Sequence, residues 1–226
     1  MAHAHHEDRR TFLKGVALAS GALLVGRFAA ALTLGQTQPA QKEKPEVKST
    51  LENLMTAFNG ESNAQQRYLA FARKAEEEGY VPVASLFRAA ARAEQVHAAS
   101  HAAVIKKMGG TAEAKLETPV IKTTKENLEA AIKGETYELE QMYPGFIAVA
   151  RKDGNRDAIR TFNYALAAEG DHAKLYTEAL KNLDSWKSGE KRTFYVCPVC
   201  GHTVTKIDFE KCPTCFTAKD KFENQS

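Results

Sequence analysis

The stretch Ala93-Glu94-Gln95-Val96-His97-Ala98 returns in the second half of the chain as Ala168-Glu169-Gly170-Asp171-His172-Ala173. A Gly-Glu pair precedes each copy, Gly60-Glu61 by 33 residues and Gly134-Glu135 by 34, measured from Glu to Glu. A lone Glu and a Glu-x-x-His, each present twice on long helices, are the ligand set of a carboxylate-bridged two-metal site in a four-helix bundle. The repeat therefore predicts an all-α four-helix bundle with a redox-active metal site.

Start and stop signals support four long helices. Apolar residues recur at helical spacing before Gly79, which is a typical helix-ending residue. Gly109-Gly110 ends a second Ala-rich segment, and Thr123-x-x-Glu126 is a capping box that opens a third. The predicted helices cover about 48–78, 82–108, 123–153 and 155–183.

The repeated acids lie at matching heights in these helices. Glu61 is 18 residues before Gly79 and Glu94 is 15 after it, and the second half repeats this arrangement around Gly154. The connection from Gly109 to Thr123 spans on the order of 50 Å when extended, whereas a helix of this size is about 40 Å long. The connection can therefore cross the whole bundle, which is the topology of ferritin-like folds.

A single Glu-x-x-His is weak evidence, because Glu and His are common on solvated helix faces. Two copies with partner acids at matching heights are much stronger evidence. Burying four carboxylates without cations is very costly. Glu61, Glu94, Glu135, Glu169, His97 and His172 are therefore predicted to bind two metal ions.

Other residues near these acids have competing interpretations. Glu138 follows Glu135 by one helical turn and is either a further ligand or a solvated acid. His101 follows His97 by one turn, and packing or a surface position is favoured over a contact with the ligands. Tyr68 and Tyr143 follow the lone glutamates by seven and eight residues. They either hydrogen-bond the ligands or simply pack, and packing is the default expectation for both.

Proline 144 falls inside the predicted third helix. A proline in a helix interior removes one hydrogen bond and clashes with the preceding turn. We therefore expect a kink or a local opening of the third helix.

All four cysteines lie in one short C-terminal stretch, as Cys197-x-x-Cys200 and Cys212-x-x-Cys215. Two such pairs fit a tetrahedral four-thiolate site for iron or zinc. A pair of disulfides is the alternative. Residues 193–226 are too few to be stable without such a metal. A small aromatic core is expected from Phe194, Tyr195, Phe209, Phe216 and Phe222.

These motifs together resemble the rubrerythrin family, in which a ferritin-like di-iron bundle precedes a rubredoxin-like domain. The resemblance covers about 48–224. The domains are predicted as the bundle at 45–184, a linker at 185–192 and the small domain at 193–226. The resemblance is carried by Gly60-Glu61, Tyr68, the two Glu-x-x-His motifs, Gly134-Glu135-Thr136-Tyr137-Glu138, Met142-Tyr143-Pro144 and the four cysteines.

The resemblance implies a function as well as a fold. It implies that Glu61, Glu94, Glu135, Glu138, Glu169 and His172 bind two irons, and that His97 exchanges with Glu138 as the redox state changes. It implies reduction of hydrogen peroxide, with electrons passed on by an iron bound to Cys197, Cys200, Cys212 and Cys215. It further implies a homodimer or larger assembly, in which the rubredoxin-like domain of one subunit serves the bundle of another.

The second cysteine pair departs from the family pattern. Phe216 stands where a glycine is usual, and Ala218 stands where a proline is usual. Hydrogen bonds to the sulfurs tune the potential of such a site. The choice between iron and zinc therefore stays open here.

The N-terminus resembles a twin-arginine export signal, with Arg9-Arg10 before Phe12-Leu13-Lys14 and an apolar stretch from Gly15 to Gly26. That stretch is too short to span a membrane. Residues 1–40 are therefore predicted to be a signal peptide and the mature protein to be periplasmic, without stable membrane insertion. The alternative is a basic tail with a buried helix in a cytoplasmic protein.

Charge argues against a nucleic-acid partner. The formal net charge is +3 for 31 basic and 28 acidic residues. Residues 1–40 contain four of the basic and two of the acidic residues, which leaves 27 against 26. No nucleotide-binding motif is present, so an unidentified redox protein is expected to supply electrons.

Three functions compete at this point. The first is a peroxidase acting on hydrogen peroxide, and the second is a ferroxidase or iron-storage protein. The third is a structural bundle with a zinc ribbon that binds a partner. The four-cysteine domain argues against storage, and the repeated acids argue against a purely structural role.

Overall fold

The structure is a computed structural model that describes residues 48–226. The predicted export signal at 1–40 lies outside the described residues and stays a prediction. No helix within 48–226 combines the length and the apolar character needed to cross a bilayer. The bundle and the C-terminal domain belong to one compact unit.

The predicted four-helix bundle is confirmed. Its helices are α1 (Thr50–Glu77), α2 (Val81–Lys107), α3 (Thr124–Tyr137) with its continuation α4 (Tyr143–Lys152), and α5 (Arg156–Lys181). A short helix α6 (Leu183–Trp186) follows, and then strands β1 (Phe194–Val196), β2 (Thr203–Val204) and β3 (Glu223–Gln225), with a 3₁₀ turn at Lys219–Lys221.

Local sequence sets the helix ends. Thr123 and Glu126 form the predicted capping box on α3, and Ser49 with Glu52 forms the same motif on α1. Each box satisfies backbone N–H groups that have no partner inside the helix. Gly79, with φ +82°, ends α1 in the left-handed conformation that glycine adopts without steric cost.

The third bundle helix opens where Pro144 was expected to disturb it. Residues Glu138–Met142 form a π-helical turn between α3 and α4, and the Tyr143 N–H donates to the Glu138 carbonyl. Proline lacks an N–H and collides with the carbonyl four residues earlier, so one extra residue in the turn relieves the conflict. The turn also places Glu138 beside the repeated acids.

The predicted crossover connection is confirmed. The loop between α2 and α3 follows α1 along its length, and the Lys115 N–H donates to Asn59 Oδ1 at 2.8 Å. At the far end, the Thr124 N–H donates to Glu78 Oε2 at 2.8 Å. Helix α3 therefore starts beside the end of α1 and runs parallel to α2.

Two apolar clusters fill the bundle and leave a polar layer between them. One contains Phe71, Phe87 and Tyr176, and the other contains Leu54 and Phe162. Along α1, α2 and α5, the repeated acids fall between the residues of the two clusters. Water is thereby kept away from the acids on both sides.

The C-terminal domain contains a three-stranded antiparallel sheet in the order β2-β1-β3. Phe194 of β1 is fully buried and joins a core cluster of the bundle. Arg92 of α2 binds Glu223 of β3 through two hydrogen bonds of 2.6 and 2.9 Å, and His202 lies 2.6 Å from Asp171 of α5. The domain therefore packs against the bundle of its own chain.

The predicted linker at 185–192 is partly structured. Trp186 belongs to α6 and is buried. The Ser188 N–H donates to the Gly79 carbonyl at 2.8 Å, and the Arg192 guanidinium stacks 4.0 Å from the Trp186 ring centre. These contacts fix the path of the chain from the bundle to the small domain.

Candidate metal centres

The six repeated acids and histidines converge in the polar layer of the bundle. One donor group contains Glu61, Glu94, Glu169 and His97, and a second contains Glu94, Glu135, Glu169 and His172. Within each group the ligand atoms lie within 4.8 Å of one another, and every residue is buried. Glu94 and Glu169 belong to both groups, as bridging carboxylates of a two-metal site would.

Both histidines face the acids through Nδ1. His97 Nδ1 lies 2.9 Å from Glu94 Oε2 and 3.2 Å from Glu169 Oε1. His172 Nδ1 lies 3.0 Å from Glu169 Oε2 and 3.4 Å from Glu94 Oε1. The arrangement is nearly two-fold, as the sequence repeat predicts.

Three carboxylate oxygens in this cluster are buried without a well-aligned hydrogen bond among the described residues, namely Glu61 Oε2, Glu94 Oε1 and Glu169 Oε1. The last two have only an imidazole nitrogen nearby, at 3.4 and 3.2 Å. Buried acceptors without donors are strongly destabilising. Divalent iron prefers such carboxylate and imidazole donors and would remove this cost. The donor set therefore fits two metal ions.

Burial and mutual repulsion perturb the acids when no metal is bound. Burial raises the pKa of Glu61 and Glu135 well above the usual range, and neighbouring carboxylates raise it further. For Glu94, burial acts in the same direction but is outweighed by His172 and His97, so its pKa is lowered. Burial opposes the charge of both histidines, but the acids raise the pKa of each.

The metal-free protein is expected to lose stability as pH rises from about 5 to 8. Glu61 and Glu135 keep protons in the folded state at pH values where the unfolded chain has released them. His97 and His172, whose pKa values are also raised, act in the same direction at the upper end of this window. Glu94 has a lowered pKa, and its contribution is constant above about pH 5.

Thermal unfolding of the metal-free protein measures this effect, and a decrease of about 5 °C or more in Tm is expected across that window. The iron-loaded protein is the control, because metal binding requires the deprotonated acids and its Tm should rise with pH. A metal-free protein that is more stable at pH 8 than at pH 5 would contradict the electrostatic account.

Two buried tyrosines hold the lone glutamates, and each tyrosine binds the glutamate of the other half. The Tyr68 hydroxyl donates to Glu135 Oε1 at 2.5 Å, and the Tyr143 hydroxyl donates to Glu61 Oε1. The default expectation of packing was therefore wrong, and the alternative of hydrogen bonds to the predicted ligands is confirmed. The sequence carried a signal for these contacts: each Tyr follows its lone Glu by seven or eight residues, which places it about two turns away, near the face of the helix that carries the Glu.

Glu138 lies at the edge of the cluster. It is half-buried in the π-helical turn and belongs to neither donor group. Burial raises its pKa well above the usual range, and the charges of Glu169 and Glu94 raise it further. Its carboxylate is therefore close enough to interact with the predicted ligands, although this structure places His97 in the donor group instead.

The four cysteines form a second centre. Their sulfur atoms lie within 4.8 Å of one another. The Cys197–Cys215 and Cys200–Cys212 sulfur distances are 3.5 and 3.6 Å. A tetrahedral site with metal–sulfur bonds of about 2.3 Å has edges of about 3.8 Å, whereas a disulfide bond is about 2.05 Å long. All four cysteines are free, and the spacing matches a bound metal.

Phe216 does not join the small core, and that prediction was wrong. Its backbone has φ +63°, and its side chain is 75% exposed. The left-handed conformation, which glycine usually supplies, continues the turn around the second cysteine pair and directs the ring into solvent. Phe209 and Phe222 do pack together, with ring centres 5.3 Å apart.

Two histidines of the bundle contact the small C-terminal domain that carries the four cysteines. His97 Nε2 lies 3.2 Å from the Cys200 carbonyl oxygen, and His172 Nε2 lies 3.2 Å from Thr203 Oγ1. Gly201 has φ +76°, and a Cβ at this position would collide with His97 Nε2. The glycine after the first cysteine pair thus permits this close approach, which sequence reasoning did not foresee.

Comparison with known proteins identifies the family that this chain resembles. A family model described as rubrerythrin matches residues 52–180. Nigerythrin from Nitratidesulfovibrio vulgaris is 40% identical over 180 residues, covering 79% of this chain and 88% of that protein. Rubrerythrin-2 from Clostridium acetobutylicum is 39% identical over 176 residues, covering 77% of this chain and 95% of that protein.

Solved structures agree with the fold. Nigerythrin in its fully reduced, all-ferrous state superposes with a TM-score of 0.73 at 38% identity, covering 82% of this chain and 91% of that chain. A bacterioferritin from Desulfovibrio desulfuricans, at 22% identity and a TM-score of 0.56, covers 60% of this chain and 80% of that chain and shows the ferritin-like fold alone.

The bundle therefore carries a di-iron centre with carboxylate and histidine donors, and the four-cysteine site is consistent with one further iron. The family model covers more than half of the chain, and the two relatives each match more than three quarters of the chain. This protein is a member of the rubrerythrin family.

Proposed function

We propose that this protein is a non-haem di-iron peroxidase that reduces hydrogen peroxide to water and protects against oxidative stress. The observation that carries the proposal is the contact between His97 Nε2 and the Cys200 carbonyl. One imidazole thereby faces the di-iron donors on one side and the four-thiolate site on the other. Iron storage does not require a connection between a di-iron site and a four-thiolate site.

The histidine tautomers support electron transfer between the centres. When Nδ1 of His97 binds a metal together with the acids, Nε2 carries the ring hydrogen and donates to the Cys200 carbonyl. His172 Nε2 donates in the same way to Thr203 Oγ1. Both contacts orient the rings and hold the small domain directly above the acids.

When bound, two ferrous ions supply one electron each to the O–O bond, so that peroxide, two electrons and two protons give two waters. Glu94 and Glu169 would bridge the pair, and Glu61 and Glu135 would bind one ion each. The apolar clusters on both sides keep bulk water out. The tyrosine hydroxyls donate to the carboxylates and so hold each one in a fixed orientation.

Glu138 would serve as a ligand in a second redox state, as the family resemblance implies. It lies in a π-helical turn, and such turns occur frequently at functional sites. Its raised pKa reflects burial beside Glu169 and Glu94. We infer that an exchange between His97 and Glu138 would alter the charge around one iron.

Electrons would enter at Cys215, the one cysteine of the four that is partly exposed. Cys200, by contrast, is buried against the bundle through its carbonyl contact. An unidentified redox protein would dock beside Cys215. The predicted homodimer stays a prediction, and within one chain the small domain already contacts its own bundle.

A stopped-flow experiment tests the function. The protein is reduced without oxygen and mixed with equal concentrations of hydrogen peroxide or oxygen, while the visible band of the thiolate-bound iron is followed. A peroxidase with internal electron transfer should recover the band much faster with peroxide. Faster recovery with oxygen would favour the ferroxidase alternative.

A variant lacking one of the di-iron ligands provides the control. Glu94→Ala should keep the thiolate band in the oxidised protein but recover it slowly with peroxide, because the reaction site is lost. Equally fast recovery in this variant would mean that peroxide reacts at the thiolate iron itself. No band in the iron-loaded native protein would mean that the site holds zinc, and the relay would fail.

A further inference from the structure

A chain of hydrogen bonds leads from one side of the di-iron site into the apolar core. His101 is fully buried, with Nε2 3.2 Å from the Tyr143 hydroxyl and Nδ1 3.0 Å from Thr161 Oγ1. The Tyr143 hydroxyl in turn donates to Glu61. Sequence reasoning favoured packing or a surface position for His101. In the structure His101 contacts Tyr143, which in turn binds the predicted ligand Glu61.

The contacts of His101 fit a neutral imidazole, because each ring nitrogen meets a hydroxyl group and Glu61 Oε1 is farther away, 3.9 Å from Nε2. Burial and the nearby His97 both lower the pKa of His101, in agreement with this geometry. A neutral imidazole has one N–H donor and one acceptor nitrogen. The single N–H of His101 can therefore donate to only one of its two neighbours, Tyr143 or Thr161.

The neighbours determine that choice. A metal-bound Glu61 is ionised and can only accept, so the single hydrogen of the Tyr143 hydroxyl points to Glu61. His101 Nε2 must then donate to the Tyr143 oxygen, and Nδ1 must accept from the Thr161 hydroxyl. Every hydrogen bond in the chain therefore runs in one direction, from Thr161 to Glu61.

The second half of the molecule lacks this chain. Tyr176 follows His172 by four residues, as His101 follows His97. The Tyr176 hydroxyl is buried but has no hydrogen-bond partner within 48–226, although its ring lies 5.6 Å from that of Tyr68. Tyr68, which holds Glu135, therefore receives no hydrogen bond from Tyr176, and the Arg67 guanidinium lies 5.3 Å from its ring centre instead.

We propose that His101 is a positioning residue that locks Tyr143 as a permanent donor to Glu61, so that the two irons of a nearly symmetric site are held unequally. Two buried donors behind Tyr143 strengthen and orient its hydrogen bond, since hydrogen bonds in a chain polarise one another. The iron bound by Glu61 would therefore be held more firmly when His101 is present than when it is removed. The affinity for the iron bound by Glu135 does not depend on His101.

Competition with a ferrous chelator tests this proposal in the anaerobically reduced, iron-loaded protein. His101→Leu should weaken the binding of one bundle iron by about 10- to 100-fold, as is typical when a partner of a ligand is lost, and leave the other unchanged. Mössbauer spectra should show an altered signal for one of the two carboxylate-bound ferrous ions. The thiolate iron keeps its own signal and reports that the fold is intact.

Conservative variants separate positioning from packing. The side-chain amide of His101→Gln can occupy the Nε2 position and donate to Tyr143, so this variant should restore both iron affinity and spectrum. His101→Asn places its amide nearer the Nδ1 position and should not. Tyr176→Phe is the matched control in the other half, and both irons should remain as in the native protein.

Three results would overturn the proposal. They are equal weakening of both irons in His101→Leu, no weakening at all, and equal behaviour of His101→Gln and His101→Asn. None of these measurements uses peroxide. Failure of the proposal for His101 can therefore be distinguished from failure of the proposed peroxidase activity.

Discussion

Replacing Glu169 with alanine is expected to remove both irons from the bundle at once. Glu169 belongs to both donor groups, and its two oxygens face the two histidines from opposite sides, Oε1 toward His97 and Oε2 toward His172. Loss of a bridging carboxylate should weaken iron binding by more than the roughly 100-fold seen when an outer partner is lost. Metal analysis after gel filtration should find the four-cysteine iron alone.

The matched control is Glu140→Ala. Glu140 is an exposed acid in the π-helical turn and belongs to neither donor group, so this variant should keep both bundle irons. The metal-free Glu169→Ala protein should remain folded, because the substitution removes a buried acid from a crowded cluster. Loss of only one iron would mean that Glu169 does not bridge the pair.

Replacing Cys197 and Cys212 together with serine is expected to abolish metal binding at the second centre and to unfold residues 193–226. Metal binding contributes about 10–16 kcal/mol to small structural sites of this kind, and a domain of this length has too little core to fold without it. The visible band should disappear, and limited proteolysis should cleave the chain after Trp186, where the bundle ends.

The control for this variant is Thr214→Ser, which changes the same cysteine loop without removing a ligand. It should retain the band and resist proteolysis. The bundle of the double variant should keep its helices, because α1 to α5 are held by their own core clusters. A protease-resistant C-terminal domain without metal would contradict the view that the metal stabilises it.

Much of the site could be predicted from residue spacing. The duplicated Glu and Glu-x-x-His predict six ligands, with the two glutamates of each helical hairpin at nearly the same height, and the structure brings these residues together. This works because helix geometry converts spacing along the chain directly into height and face. The capping box at Thr123 and Glu126 was predicted from an equally local rule.

Contacts between elements were harder to predict. Packing or a surface position was favoured for His101, and packing was the default for Tyr68 and Tyr143. All three instead form buried hydrogen bonds around the ligands, which was the less favoured alternative in each case. Their types and positions are compatible with both outcomes. Only the orientation of one helix against another decides which polar group each of them meets.

The sequence by itself determined the helices, the ligand inventory and the two metal centres, because propensity, capping and spacing are local properties of the chain. The tertiary structure alone decided that the small domain lies above its own bundle, with Cys200 beside His97. It also decided that His101 supports one half of the site, whereas Tyr176 leaves the other half without an equivalent chain. Such contacts join residues far apart in sequence, and they depend on how whole elements pack.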